Sequence, residues 1–278
     1  LRARPESVAR LEIPLPPLKE QKRIAALLDK AEEVIAKRRA AIALLDQLPQ
    51  SLFLEMFGDP KKNPMGFALA TFGQVIMEMR GGANLAPEDF IDDGFPILHK
   101  GAIRSNGRIM LDTNKKTFVS EQFASYHPRN HVDRDFLAVT LRDLVPTGPA
   151  IGFIADLKSG PYDHYVLSQG AYAFKADPKQ VTSQYLVVLS NMPTFRHVLR
   201  QNAVGSTQIH IRTPIFQAIT FPLPPIQAQI IFEKRIEEIN RAKAAHRCAL
   251  EKLDALFAII QARAFIVSVK TAKVLSDV

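Results

Sequence analysis

Several side-chain groups in this 278-residue sequence have types and spacings that could do chemistry. His127, His131, Asp133 and Asp135 are spaced closely enough to hold a divalent metal. Their neighbours Pro128 and Asn130 make a polar loop the simpler reading, so no metal and no cofactor is assigned. Asp163, in Pro161-Tyr162-Asp163, and Asp177-Pro178-Lys179 loosely mimic the two carboxylates and lysine that place Mg²⁺ beside a scissile phosphate. An Asp-Pro pair more naturally makes a turn. Asn63-Pro64-Met65-Gly66 is the nearest approach to the Asn/Asp-Pro-Pro-Tyr/Phe signature of a DNA methyltransferase, and it fails that pattern. Cys248 lies beside no motif that would activate a thiol. The remaining group is suited to binding. Arg80, Asn84, Lys100, Arg104, Asn106, Lys115, Lys116, Ser206, Gln208 and His210 stand in polar, basic stretches expected to be loops. Such side chains hold phosphates or hydrogen-bond base edges. For any one of them a solvated loop residue is the competing reading, and Ser206 to Gln208 would equally suit a cap.

The whole chain supports binding to a polyanion. It carries 36 Lys and Arg against 28 Asp and Glu, a formal net charge of +8. Each phosphate neutralised by such a surface releases condensed counterions. Charge alone does not separate DNA, RNA and an anionic membrane. No apolar run approaches the length of a membrane span, and Leu1 to Arg10 carries three arginines without the apolar stretch of a signal peptide. The single cysteine excludes an intrachain disulfide framework, which implies a reducing compartment and a cytoplasmic protein. The 17 phenylalanines fall mostly in apolar runs, where core packing is the default reading rather than base stacking.

The elements that must position these groups are set by an internal repeat. Ile13-Pro14-Leu15-Pro16-Pro17-Leu18-Lys19-Glu20-Gln21 returns as Phe221-Pro222-Leu223-Pro224-Pro225-Ile226-Gln227-Ala228-Gln229, at an offset of 208 residues. The offset carries Leu45-Asp46 onto Leu253-Asp254 and Phe57 onto Phe265. After each Pro-rich signal, apolar residues recur at alternating spacings of four and three. The first series contains Ile24, Leu28, Ala31, Ile35, Arg38, Ile42 and Leu45. The second contains Phe232, Ile236, Ile239, Lys243, His246, Leu250, Leu253, Phe257 and Ile260, in the same register. This spacing puts the side chains on one seam of a helix that needs a partner helix. Each helix should run roughly 35 residues, or about 50 Å. They are expected over 19–57 and from about Gln227 to Phe265, with a kink at Pro49 that ends the straight portion near Leu48. Lys243 and His246 occupy seam positions equivalent to Ile35 and Arg38.

Between the helices, residues 58–220 read as a compact mixed α/β globule. A breaker cluster, Gly58-Asp59-Pro60, opens it. Strand-like runs follow at Phe95 to Leu98, Phe136 to Val139, Ile151 to Ile154 and Ala171 to Phe174. Thr182 or Ser183 should cap a helix through Ser190, and another should run to about Arg200. The fold class is therefore α+β: a mixed globule flanked by two long heptad-patterned helices that pack on each other or on copies in a second chain.

This arrangement resembles the specificity subunits of type I restriction–modification enzymes. The resemblance covers essentially the whole chain. It is carried most specifically by Gly205-Ser206-Thr207-Gln208-Ile209-His210-Ile211 followed by Phe221-Pro222-Leu223-Pro224-Pro225. Thr147-Gly148-Pro149-Ala150-Ile151-Gly152 and Phe95-Pro96-Ile97-Leu98-His99-Lys100-Gly101 match more weakly, and Arg134-Asp135-Phe136-Leu137 departs from the family's usual Gly-Asp-Ile-Leu. The resemblance implies that the two helices pair as an antiparallel coiled coil, in a non-catalytic subunit that binds double-stranded DNA and reads one half of a bipartite target. It would dock methyltransferase subunits on its spacer helices and, through them, the restriction subunit. Residues 1–18 would be the tail of a preceding recognition domain with its Pro-rich linker, and 221–278 the second spacer and tail, as in the C-terminal part of a longer subunit or a shortened form. At about 3.4 Å per base pair the rod would span about 15 base pairs, which explains a split target. Self-association through the helices is a further expectation. A Mg²⁺-dependent nuclease and a coiled-coil protein-binding scaffold are the alternatives.

Overall fold

The computed structural model describes residues 16–112 and 117–275, with side chains as far as residue 262. Among them, helix α1 (Leu18–Phe57) is followed by twelve short strands and five α-helices, and helix α7 (Ile226–Leu275) comes last. Two compact units result: Leu48–Glu238, and the flanking residues up to Gln47 and from Ile239.

The flanking unit is the helix pair. Ile24, Leu28, Ile42 and Leu45 are half-buried on α1 and Ile35 is buried, while the positions between are mostly exposed. On α7, Ile239, His246, Leu250, Leu253 and Phe257 are half-buried and Lys243 is only 8% exposed. The contacts run antiparallel. Arg38 Nη1 lies 3.3 Å from His246 Nδ1, and Lys243 Nζ lies 2.6 Å from Asp46 Oδ1, so a later residue of α1 meets an earlier one of α7. Arg39 reaches Asp254 at 3.4 Å. Asp46 and Asp254 are equivalent in the 208-residue repeat, and each is paired with a cation of the opposite helix. Arg38 and His246 are equivalent to each other.

The sequence reading needs one adjustment here, at the far end of α7. Helix α1 continues through Pro49 to Phe57, and α7 continues beyond Phe265 to Leu275. Proline withdraws one amide from the ladder, and the rest of the helix is retained by the rings packed on its end. Phe53 and Phe57 are buried against Tyr185 and Phe232, with ring centroids 5.2 to 5.9 Å apart.

The repeated Pro-rich signal has a structural meaning. Gln21 Nε2 donates to Pro16 O at 2.6 Å, and its repeat-equivalent Gln229 Nε2 donates to Pro224 O at 2.7 Å. Each glutamine thus reaches back to a proline carbonyl that lies just ahead of its helix. Gln229 is fully buried and does more: its Oε1 accepts from Thr182 N at 2.9 Å.

The unit Leu48–Glu238 is built on two four-stranded sheets. In chain order it contains β1 (Leu69–Thr71), α2 (Phe72–Val75), β2 (Ile76–Gly81), β3 (Phe95–Leu98), β4 (Phe118–Val119) and α3 (Glu121–Tyr126). Then come β5 (His131–Asp133), β6 (Leu137–Thr140), β7 (Arg142–Asp143), β8 (Ile154–Asp156), β9 (His164–Leu167) and β10 (Ala171–Ala176). Helices α4 (Ser183–Asn191) and α5 (Pro193–Gln201), strand β11 (Ile209–His210), helix α6 (Thr213–Ala218) and strand β12 (Thr220–Pro222) complete it. One sheet has the order β2-β10-β6-β8 and is antiparallel throughout; the other, β4-β3-β9-β5, contains the parallel pair β3–β9. Two ribbons, β1–β12 and β7–β11, are formed by segments far apart in sequence. Between the sheets, Leu98, Ile103, Val132, Phe136, Leu157 and Leu167 form one continuous core.

Thr182 caps α4 as its hydroxyl accepts from Tyr185 N. The run Ile151 to Ile154, expected as a strand, pairs only from Ile154. Gly152 stands at φ +76°, a left-handed turn that an extended run cannot contain, and its amide bonds back to Thr140 O at 2.6 Å.

Candidate nucleic-acid interface

The residues expected to touch nucleic acid fall into distinct places. Lys100 begins a short 3₁₀ turn directly after β3, half-buried. Ser206 and Gln208 lie on an exposed turn whose ends are joined by paired hydrogen bonds between Val204 and His210, each 2.9 Å. The side chains of Ser206 and Gln208 form no hydrogen bond among the described residues, and α6, which follows, has no side-chain cap. The turn is therefore presented to solvent rather than used to end a helix.

Strand β11 carries His210 onto this edge by pairing with β7, where His210 lies opposite Arg142 and Ile209 opposite Asp143. Arg142 is exposed and was not singled out in the sequence. Asp143 is occupied by its own loop, accepting from Val145 N at 3.3 Å and Ala150 N at 2.8 Å. The far side of that loop is held from α5: Arg196 donates to Pro149 O at 2.8 Å and Arg200 to Gly148 O at 3.4 Å. Arg196 is 7% exposed and lies 3.8 Å from the centre of the Phe153 ring. Burial, then the neighbouring Arg200, bring its guanidinium down to about 10, still charged at neutral pH, with Asp143 opposing. The loop is thus clamped from both ends, while Leu144 and Val145 at its tip are exposed.

The other expected residues lie elsewhere. Arg104 and Asn106 are exposed on a tight turn in which Gly107 N bonds to Arg104 O at 3.1 Å. Gly107 O accepts from Asp156 N, so this turn belongs to the β8 edge of the first sheet. Arg80 belongs to β2, the opposite edge, and is not in a loop as expected. Its guanidinium is spent within the fold: it bonds to His131 O, pairs with Glu78 at 2.6 Å and lies 4.9 Å from the centre of the Phe136 ring. An open cleft of about 600 Å³ lies beside it, walled by β2 from Glu78 to Gly81 and by Pro128, Arg129 and Asn130. Asn84 is exposed just after an isolated bridge at Ala83. Lys115 and Lys116 lie outside the described residues.

The groups with catalytic spacing are engaged structurally. His127 stacks on Phe123 at 4.1 Å and His131 on Phe95 at 4.9 Å. Asp133 accepts from Lys175 at 3.1 Å, and its carboxyl is held below the ordinary range: burial opposes this, but the Asp135 amide and the Lys175 ammonium outweigh it. Asp163 pairs with Arg134 at 2.6 Å, and Asp177 caps its own turn through Lys179 N at 2.9 Å. Among the described residues no group of three His, Cys, Asp or Glu could hold a metal.

The described residues thus hold a pair of long helices and a mixed globule with a polar, cationic edge. A family model described as the type I restriction modification DNA specificity domain matches residues 76–247, more than half of the chain, and the chain belongs to this family. The type I restriction enzyme MjaVIII specificity subunit of Methanocaldococcus jannaschii is 22% identical over 258 residues, covering 88% of this chain and 59% of that protein. The type I restriction–modification S subunit from M. genitalium superposes with a TM-score of 0.54 at 15% identity, over 89% of this chain and 61% of its own. A chain from a structure addressing complex assembly and conformational transition of the type I system gives 0.58 at 20% identity, over 91% and 60%. The chain therefore spans about 60% of the length of these relatives. No helix among the described residues is long and apolar enough to cross a membrane.

Proposed function

We propose that the chain binds double-stranded DNA through residues 58–220, reading one half of a bipartite target, and performs no chemistry itself. Methyl transfer and cleavage belong, in this reading, to methyltransferase subunits docked on the outer faces of α1 and α7 and to the restriction subunit that joins through them. The protein acts in the cytoplasm, and exchange of helices between two chains gives a route to self-association. The observation that carries the reading is the edge where Lys100, Arg142, His210, Ser206 and Gln208 come together from three separate stretches of sequence. Cations there can hold phosphates, while hydroxyl and amide groups reach base edges.

The test is fluorescence anisotropy of the full chain with random duplex DNA across a salt series. A log–log slope of several units supports a phosphate-tracking surface, whereas a salt-independent response returns the scaffold reading. Incubation with plasmid and Mg²⁺ should leave the plasmid intact; cutting without partners would overturn the non-catalytic assignment.

A further inference from the structure

We infer that Lys100 and Arg142 form a clamp for a single phosphate of the DNA backbone, closed over the turn at Gly170. The inference rests on the DNA-binding reading and adds the contact that sets register on the duplex.

Three segments converge here. Lys100 follows β3, Arg142 is in β7, and Gly170 forms the turn between β9 and β10 at φ +87°. A Cβ placed on Gly170 would lie 3.4 Å from Lys100 Cδ and 3.8 Å from Arg142 Cδ. The stems of both cations therefore lie along the same bare stretch of backbone. A side chain at Gly170 would sit in ordinary contact with both stems but would have to adopt a strained backbone conformation.

The charge at this point is offset only in part, by Asp143. Neither Lys100 nor Arg142 makes an ion pair or a side-chain hydrogen bond among the described residues. Asp143 is the nearest carboxylate in sequence, and its two oxygens are taken by the amides of Val145 and Ala150. Burial lowers the Lys100 ammonium below the ordinary lysine range, the Arg142 guanidinium lowers it further, and Asp143 opposes both. Two like charges side by side are unfavourable until an anion lies between them. A phosphate diester fits: the guanidinium fork takes two oxygens, and the ammonium adds a compact point charge. His210, opposite Arg142, and the Ser206–Gln208 turn then extend from the clamped phosphate toward the adjoining nucleotides.

The test uses the full chain and a random duplex. Arg142→Gln, Lys100→Gln and the double variant are measured by anisotropy across a salt series. Each single change should weaken binding about ten-fold at fixed salt, as expected for a charge-assisted contact. Because both cations hold one phosphate, the double variant should lose much less than the product of the two singles. Its salt slope should fall by about one unit, not two. Lys179→Gln is the charge-matched control and should stay within about two-fold. It follows the far end of β10, a strand of six residues and so about 20 Å from Gly170. Circular dichroism confirms that each variant folds. Unaltered binding by Arg142→Gln in a chain that itself binds with a steep slope overturns the clamp alone. Independent, multiplicative losses would mean two separate phosphates and also overturn it. Absence of binding by the unaltered chain removes the DNA reading and the clamp together.

Discussion

Removal of the Asp46 carboxylate isolates a buried ammonium on the coiled-coil seam. Lys243 is 8% exposed, its side chain 10%, and its nitrogen lies 2.6 Å from Asp46, whose side chain remains 45% exposed. A fully exposed pair would contribute at most about 1 kcal/mol. Leaving one partner of a fully buried pair alone costs about 3–5 kcal/mol. With one partner buried and the other half in solvent, Asp46→Ala should destabilise the helix pair by about 2 kcal/mol, between these limits. The repeat supplies its own control. Asp254, equivalent to Asp46, pairs with Arg39 at 3.4 Å with side chains 48% and 64% exposed, so Asp254→Ala should cost less than about 0.5 kcal/mol. Replacing both charges, as in Lys243→Met with Asp46→Asn, should return stability to within about 1 kcal/mol of the parent, because no lone charge remains buried. Urea unfolding of the full chain, followed at 222 nm at fixed protein concentration, reads all three. Equal midpoint shifts for Asp46→Ala and Asp254→Ala would refute the argument, since Lys243 would then have no greater need of its partner than Arg39.

Other expected outcomes follow from buried groups. Phe232→Ala removes a fully buried ring packed on Phe53 and Phe57 and should cost about 3–5 kcal/mol in the same assay. Gln229→Ala strands the Thr182 amide in the interior and should cost about 2 kcal/mol, whereas Gln21→Ala, at the half-buried equivalent position, should cost under about 1 kcal/mol. Burial raises the Asp156 carboxyl above the ordinary range, against the opposing Lys158 amide. The folded state therefore holds this proton more tightly than the unfolded chain, and its stabilising effect is lost as pH rises from the ordinary Asp range through the raised value. Asp156→Asn should accordingly be more stable than the parent at neutral pH, with the gain shrinking in acid; a constant difference across pH would show that the carboxyl does not titrate differently on folding.

How much was legible from sequence follows from whether the signal is local. Heptad spacing records a helix face directly, so Ile35 and Phe232 could be placed on a seam without knowing their partner. Thr182 was legible as a cap because a hydroxyl ahead of an apolar run has few other uses. Arg80 was misplaced as a loop residue because its sequence neighbours, Gly81 and Gly82, look like a breaker, while its strand status comes from pairing with Ala173. Arg142 escaped notice for the opposite reason. Its local context, Thr140-Leu141-Arg142-Asp143-Leu144-Val145, reads as a strand with one arginine. Only the ladder to His210 and the approach of Gly170 give it a place beside Lys100. Ile151 to Ile154 misled because an apolar run reports burial, not extension, and Gly152 turns within it.

The meeting of Arg38 with His246 restricts which helices can mate. These residues are repeat equivalents, so the local symmetry relating α1 to α7 passes between them, and any like-with-like pairing in this register would bring each residue onto its own copy. Two α1 helices would oppose Arg38 to Arg38, and Asp46 would exchange Lys243 for Arg39, as its equivalent Asp254 does now. Two α7 helices would set His246 against His246, without the guanidinium donor that it now has, while Lys243 would meet Asp254. The apolar rows, nearly interchangeable between the helices, supply adhesion without discrimination. Selectivity falls to the one position where Arg38 meets His246, which behaves as a lock cut for the unlike helix. Exchange of α7 between two chains would satisfy that lock as fully as pairing within one, so the same seam that rejects one kind of dimer admits another.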